Sequence, residues 1–230
     1  MMGRTHALSG LVTGVAAGHF WFHLDAAHLA VVAVVTAGAA VLPDIDHPDA
    51  SVACSFGFVT EGFAWLIEHV SGGHRHGTHS LAGIAAFTGA AYAAEHNRHT
   101  LAGKIGLGVL LVLVLASAVR ALQIGGHLGD LLAIGGTVAM LRSGFGVTAV
   151  PWAIAVGTAT HLAGDMLTNE GIPIAWPWSR QHWRLLPEPL AFTTGTRPER
   201  WFVAPAMAAA LCWLVAVIQK VLPAGRPPLR

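Results

Sequence analysis

Stretches without Asp, Glu, Lys or Arg dominate this chain: residues 5–24, 26–43, 76–94, 105–119, 121–129, 131–141, 143–164 and 201–219. Several approach the roughly 20 apolar residues that a helix needs to cross hydrocarbon. They predict seven helical membrane segments, at about 7–23, 26–42, 80–95, 105–122, 127–141, 148–165 and 202–221. The third and fifth are short, which suits re-entrant or interfacial segments as well as full crossings. Residues 43–79 and 166–200 are richer in Pro, Gly, Trp and charge and are expected to be interfacial loops, with Trp176, Trp178, Trp183 and Trp201 as an aromatic belt. The expected fold is therefore all-α: one polytopic helical membrane domain spanning residues 1–230. Gly10, Gly14 and Gly18 recur every four residues, a smooth groove that lets a neighbouring helix approach closely.

Composition sharpens this picture. Hydrophobic residues make up 54% of the 230 and charged residues 11%, with a mean hydropathy of +0.59; a soluble domain carries about 25% charged residues. Thirteen Lys+Arg against twelve Asp+Glu leave a formal charge of +1, so there is no basic footprint for nucleic acid. Cys54 and Cys212 cannot build a disulfide framework. Fourteen histidines are the anomaly. A chain poor in charge and rich in His points to metal or proton chemistry at a membrane.

The polar residues collect in four short stretches: Arg4-Thr5-His6, Leu42 to Pro48 (LPDIDHP), His74 to Ser80 (HRHGTHS) and His161 to Asp165 (HLAGD). With seven crossings, parity brings all four to one membrane face. Imidazole and carboxylate suit zinc, and carboxylate-rich sets also accept manganese or magnesium. His161 and Asp165, at i and i+4, project from one helix face. Asp44 and Asp46 lie beside each other if their turn is extended, with Pro43 and Pro48 stiffening its ends. The candidate metal ligands are thus His6, Asp44, Asp46, His79, His161 and Asp165, holding one ion or two bridged by a carboxylate. Thr78 or Ser80 is the expected N-cap of the third segment. His19, His23, His96 and His99 read as interfacial, and no spacing ties His69 or His127 to the cluster.

These stretches resemble the YdjM family of membrane-bound, metal-dependent hydrolases, associated in bacteria with the LexA regulon. The likeness runs from His6 through LPDIDHP and Thr78-His79-Ser80 to His161, Asp165, Leu167-Thr168, Gly171, Pro173 and Trp176-Pro177, then to Arg184-Leu185-Leu186-Pro187. It departs at His76, where the family usually has Gly, at Gly77, where it has an apolar residue, and at Gly164, where it has Ala. The resemblance implies a multi-pass protein of the bacterial inner membrane and a metal-dependent hydrolysis, without a defined substrate.

The expected chemistry is hydrolysis of a phosphoester, or a similar head group of a lipid-like substrate, by metal-activated water. Membrane lipid and a lipid-like or phosphorylated small molecule are the expected partners. Arg75 and Arg184 are candidates for neutralising charge on phosphate, and His47 or His74 for protonating the leaving group. No GxSxG, P-loop or HExxH occurs, which argues against a serine hydrolase, an NTPase and a zincin. Two alternatives stand beside this reading: a transporter or channel for metal or protons, and a non-catalytic membrane protein with a structural metal.

Overall fold

The computed structural model describes residues 1–221 apart from Asp49, Ser51 and Ser55. Among the described residues it contains eight α-helices and no strand: α1 (Gly3–Phe20), α2 (Ala26–Ala39), α3 (Phe58–Ser71), α4 (Leu81–His96), α5 (Leu101–Ala121), α6 (Gly126–Ser143), α7 (Val150–Asp165) and α8 (Ala204–Val221). Local chemistry sets many of the boundaries. The Asp25 carboxylate accepts from the backbone N–H groups of Ala27 and His28 to start α2, and Thr100 caps α5 by accepting from Gly103. Gly72 and Gly144 end α3 and α6 in the left-handed region, at φ 88° and 70°.

The core is arranged around α2, which packs against α1, α5 and α7. Small residues permit each contact. A Cβ at Gly10 would lie 2.8 Å from both Ala37 Cα and Ala40 Cβ, and one at Gly14 2.9 Å from Ala33 Cα. The glycine groove of α1 therefore receives α2. Gly157 of α7 meets Ala39 and Ala40 from another side, and Gly38 of α2 faces the Val114 carbonyl of α5. Backbones this close exchange many weak dispersion contacts, the main attraction between helices surrounded by lipid. Thr13 and Thr160 add a hydroxyl–hydroxyl bond of 2.9 Å between α1 and α7.

Two expectations need correction. Seven of the eight helices lie where the charge-free stretches predict them, but among the described residues three segments are long and apolar enough to cross a membrane: Ala26–Asp46, Leu101–Ala121 and Glu199–Gln219. A fourth exists if His127–Ser143 and Val147–Asp165, bent by 108° at their junction, count as one broken span. Absence of charge is a weaker condition than length and hydropathy together. The 16-residue helices α4 and α7 reach about 24 Å at 1.5 Å per residue, short of the roughly 30 Å hydrocarbon layer. The second correction lies in 43–79, where the expected loop contains the 14-residue helix α3. The 166–200 stretch is irregular as expected, with isolated backbone bridges joining Thr168 to Phe192 and Ile172 to Trp183.

Candidate metal centre

The four polar stretches meet at the end of α2. Beyond Ala39 the chain tightens into a 3₁₀ turn, Leu42–Asp46, that presents Asp44 to His161 in the last turn of α7 and Asp46 to His79 and His74. A second short turn, Gly77–His79, brings in His79 ahead of α4. Ser80 caps α4 by accepting from Gly83 N–H at 3.2 Å, which leaves the Thr78 hydroxyl for another task. Gly77 suits its place: a Cβ there would press on Ser71 Cβ at 3.0 Å and Trp176 Cζ3 at 3.1 Å. At Gly164 a Cβ would crowd His6 Cε1 at 3.2 Å. Both departures from the family pattern thus fit tight local packing.

Four donor atoms lie close together, His79 Nε2, His161 Nε2, Asp44 Oδ1 and Asp165 Oδ2, and the sets that gather within 4.8 Å of one another are Asp44–His79–His161 and His6–His161–Asp165. His79 lies 3.1 Å from His161, 3.4 Å from Asp44 and 3.7 Å from Asp165, while His161 lies 3.6 Å from Asp44 and 3.5 Å from Asp165. Ligands at about 2.0–2.2 Å from a tetrahedral zinc stand about 3.3–3.6 Å from one another. The separations cluster around that edge length. Asp165 Oδ2 is buried and accepts no hydrogen bond among the described residues, a costly state for a carboxylate oxygen unless a cation is its partner. The cluster therefore fits a divalent ion.

The surrounding groups orient these donors. His161 Nδ1–H donates to the Ala40 carbonyl at 2.8 Å, so its Nε2 lone pair faces the centre. Behind His79, Nδ1 lies 2.9 Å from Thr78 Oγ1 and 3.4 Å from Asp46 Oδ2, and the Thr78 hydroxyl donates to that same oxygen at 2.5 Å. Burial by itself would lower the pKa of His79. Hydrogen bonds and charge from Asp44 and Asp46 outweigh it and push the value up to about 9.

Asp46 accordingly sits behind His79, away from the four inward donors. It also accepts from His74 Nδ1 at 2.8 Å and from the Arg75 backbone N–H at 3.1 Å. His6 lies at the rim of the set, its Nε2 3.2 Å from Asp165 Oδ1 and its ring stacked on His161 at 3.8 Å. Asp165 Oδ1 faces His6 and is held by the Met1 ammonium, while Oδ2 faces His79 and His161.

Of the remaining candidates, Arg75 is nearest. Its Nε is 3.8 Å from Asp165 Oδ2, and its Nη1 donates to Glu170 Oε2 at 2.5 Å. Arg75 has φ of 60°, a left-handed conformation that carries strain for a residue with a Cβ. His74 is 34% exposed at the mouth, with the His47 ring against it at 4.7 Å. Arg184 stands apart: it is exposed, and its guanidinium reaches the Asn169 carbonyl at 3.5 Å.

Two residues of the assembly were not anticipated. Glu170 holds the Arg75 guanidinium from across the site. Glu199, fully buried, accepts from Met2 N–H at 2.6 Å and Gly195 N–H at 2.8 Å, tying the 166–200 segment to the start of α1. Nothing in their spacing marks either one; a Glu amid Pro and Arg in a loop reads as surface charge. The family model of the YdjM inner membrane protein matches residues 1–222. No curated protein and no solved structure matches the chain.

Proposed function

The chain belongs to the YdjM inner membrane protein family, and from that premise we propose that it is a membrane-embedded, metal-dependent hydrolase acting on the phosphoester or similar head group of a lipid-like substrate. The observation that carries this reading is Arg75, a guanidinium set 3.8 Å from Asp165 Oδ2 at the edge of a metal-type donor cage. A metal that only braced the fold would have no use for a cation beside it; a phosphate would.

Asp44, His79 and His161 would hold an ion, zinc being the best match to the donor types, with Asp165 beside them and His6, His161 and Asp165 as a second set. A divalent ion in this cage supplies Lewis acidity toward water and toward a phosphoryl oxygen. Arg75 binds the substrate anion and offsets the charge that develops on it. His74, half open to solvent and oriented by Asp46, delivers a proton to the departing oxygen, and His47 holds the His74 ring edge-on. Asp44, whose side chain is 18% exposed, marks the open side of the cage. Arg184 lies too far out for the reacting atoms and is better suited to the head group of a neighbouring lipid.

The structural-metal reading has one observation in its favour, because both donor sets are almost wholly buried, as closed structural sites are. A transport pathway is less well supported: no Asp, Glu, Lys, Arg or His occurs between Lys104 and Arg120, from Phe145 to Thr160, or from Trp201 to Gln219. We read α1, α4, α6 and α7 as standing in the bilayer beside the three longer spans, which retains seven membrane segments with α3 at the interface. The test is elemental analysis of the purified protein paired with a hydrolysis screen over phospholipids and lipid phosphates. Metal at one or two ions per chain with turnover abolished by Asp165→Asn is the expected result. Full metal occupancy without turnover on any phosphoester would leave the structural reading, and saturable ion flux in liposomes would leave transport.

A further inference from the structure

Helix α3 leaves an apolar stripe uncovered. Val59, Phe63, Leu66 and Val70 follow one another at steps of four, three and four residues and are 60, 47, 50 and 75% exposed. The buried side of α3, at Thr60, Ala64 and Ser71, belongs to a helix docked on the 3₁₀ turn Leu42–Asp46. Against its helical neighbours α3 stands off, and two apolar cavities fill the gaps. One, of about 620 Å³, lies between Val59 and Phe63 and the Ile105–Val109 face of α5. The other, of about 480 Å³, lies between Leu66 and Val70 and the small residues Ala82 and Ala86 of α4.

The second cavity ends at Thr78, whose hydroxyl touches both Asp46 and the His79 ring. That cavity therefore borders the groups that brace His79 from behind. The chain itself makes the same connection. At its C-terminal end α3 passes through Gly72 and Gly73, at φ 88° and 105°, directly into His74 and Arg75. The two cavities follow one another along the 14 residues of α3, a length of about 20 Å, against about 15 Å for the hydrocarbon of one leaflet. Together they form one apolar slot for a chain lying along the helix.

We propose that this slot takes the hydrocarbon tail of the substrate, so that the molecule hydrolysed is a long-chain amphiphile lying along α3 with its anionic head at Arg75 and the donor cage. The proposal rests on the hydrolase reading of that cage. Three features favour a substrate tail over bulk lipid: the slot ends at Thr78, which braces His79, small residues Ala82, Gly83 and Ala86 leave room along α4 beside Phe87 and Trp176, and the residues suited to a phosphate follow α3 without a break.

The experiment uses the full-length, metal-loaded protein in nanodiscs and two non-hydrolysable alkylphosphonates, short-chain and long-chain, each with a diazirine at the tail tip. The short probe should label α3 near Leu66–Ser71 and the start of α4. The long probe should label further along, near Phe63 and Ile105. Ala86→Trp and Leu66→Trp, both at exposed positions where a larger side chain enters the cavity without entering the core, should remove the labelling by either probe. Labelling on the outer faces of α5 or α8, identical labelling by both probes, or labelling unmoved by the two variants would overturn the proposal. Hydrolysis of short-chain and long-chain phosphoesters, measured on the same samples, separates the two layers. Turnover indifferent to chain length and to Ala86→Trp rejects the slot and leaves the hydrolase. Labelling along the slot with no turnover rejects the hydrolase and leaves an amphiphile site.

Discussion

Replacing Asp46 by Asn separates a residue that holds a metal from one that holds a ligand in place. The substitution keeps size and shape and removes one negative charge. In the structure Asp46 Oδ2 takes the Thr78 hydroxyl at 2.5 Å and the Arg75 N–H at 3.1 Å while facing His79 Nδ1 at 3.4 Å, and Oδ1 takes His74 Nδ1 at 2.8 Å. An asparagine can put its amide oxygen where Oδ2 stands, but its NH₂ must then face His74, and the imidazole of His79 loses the anion that makes it a strong donor. Loss of such a supporting partner lowers metal affinity by about 10–100-fold, or about 1.4–2.7 kcal/mol. Competition against a chromophoric chelator should show that weakening, while stoichiometry at saturating metal stays at the wild-type level. If Asp46→Asn caps the stoichiometry below wild type, Asp46 is itself a ligand and the placement argued above is wrong. If affinity is unchanged, the Asp46–His79 contact does not support the site.

Asp44→Asn and Asp165→Asn, by contrast, each remove an inward oxygen and should lower bound metal and any turnover together. The double variant should add little, because residues acting as a unit are non-additive. His19→Ala, at the other end of α1, should keep its metal; equal loss there would show that the cluster is not the site. Metal affinity should rise with pH, because a bound ion must expel the proton that His79 retains up to about 9. Below that value, titration by metal-binding competition should show about a tenfold loss per pH unit, and a flat profile would remove His79 from the ligand set. Gly10→Val should loosen α1 from α2 by about 1–3 kcal/mol, since its Cβ would meet Ala37 Cα at 2.8 Å; denaturant titration in detergent would measure this, and an unchanged midpoint would contradict the packing.

The helices were legible where a charge-free run coincided with a rigid cap or a glycine stop, as at Thr100 for α5 or Gly144 for α6. Helix α3 escaped because Glu61, Gly62 and Glu68 interrupt its apolar residues; it is amphipathic, and a search for missing charge detects only helices that are apolar all round. The expected crossings fall short of the length and hydropathy test for the converse reason, since Ala, Gly and Thr in α1 remove charge without adding hydropathy, and α4 and α7 are only 16 residues long. In the cluster, His161 and Asp165 could be paired from one helical turn, and Asp44 from the LPDIDHP turn. The division of labour between Asp44 and Asp46 could not. It depends on which face of a 3₁₀ turn meets His79, a contact across 33 residues for one and 35 for the other. Arg75 and Arg184 looked alike as cations near a motif, and only the fold places one beside Asp165 and the other at the surface.

The donors of the cage come from positions 44, 79, 161 and 165, and this order has a consequence for the protein's biogenesis. During synthesis the first two are in the membrane long before the last two leave the ribosome. Until α7 brings its Gly157 face against Ala39 and Ala40, the early half carries one carboxylate, Asp44, and one imidazole, His79, with nothing to complete them. If the cluster holds an ion, a growing chain has no finished site with which to sequester it, and the ion would close the assembly as a late clasp between its two halves. Scarcity of the metal would then be felt as a shortened lifetime of the newly made protein, through failure to retain α7, before it was felt as slow chemistry.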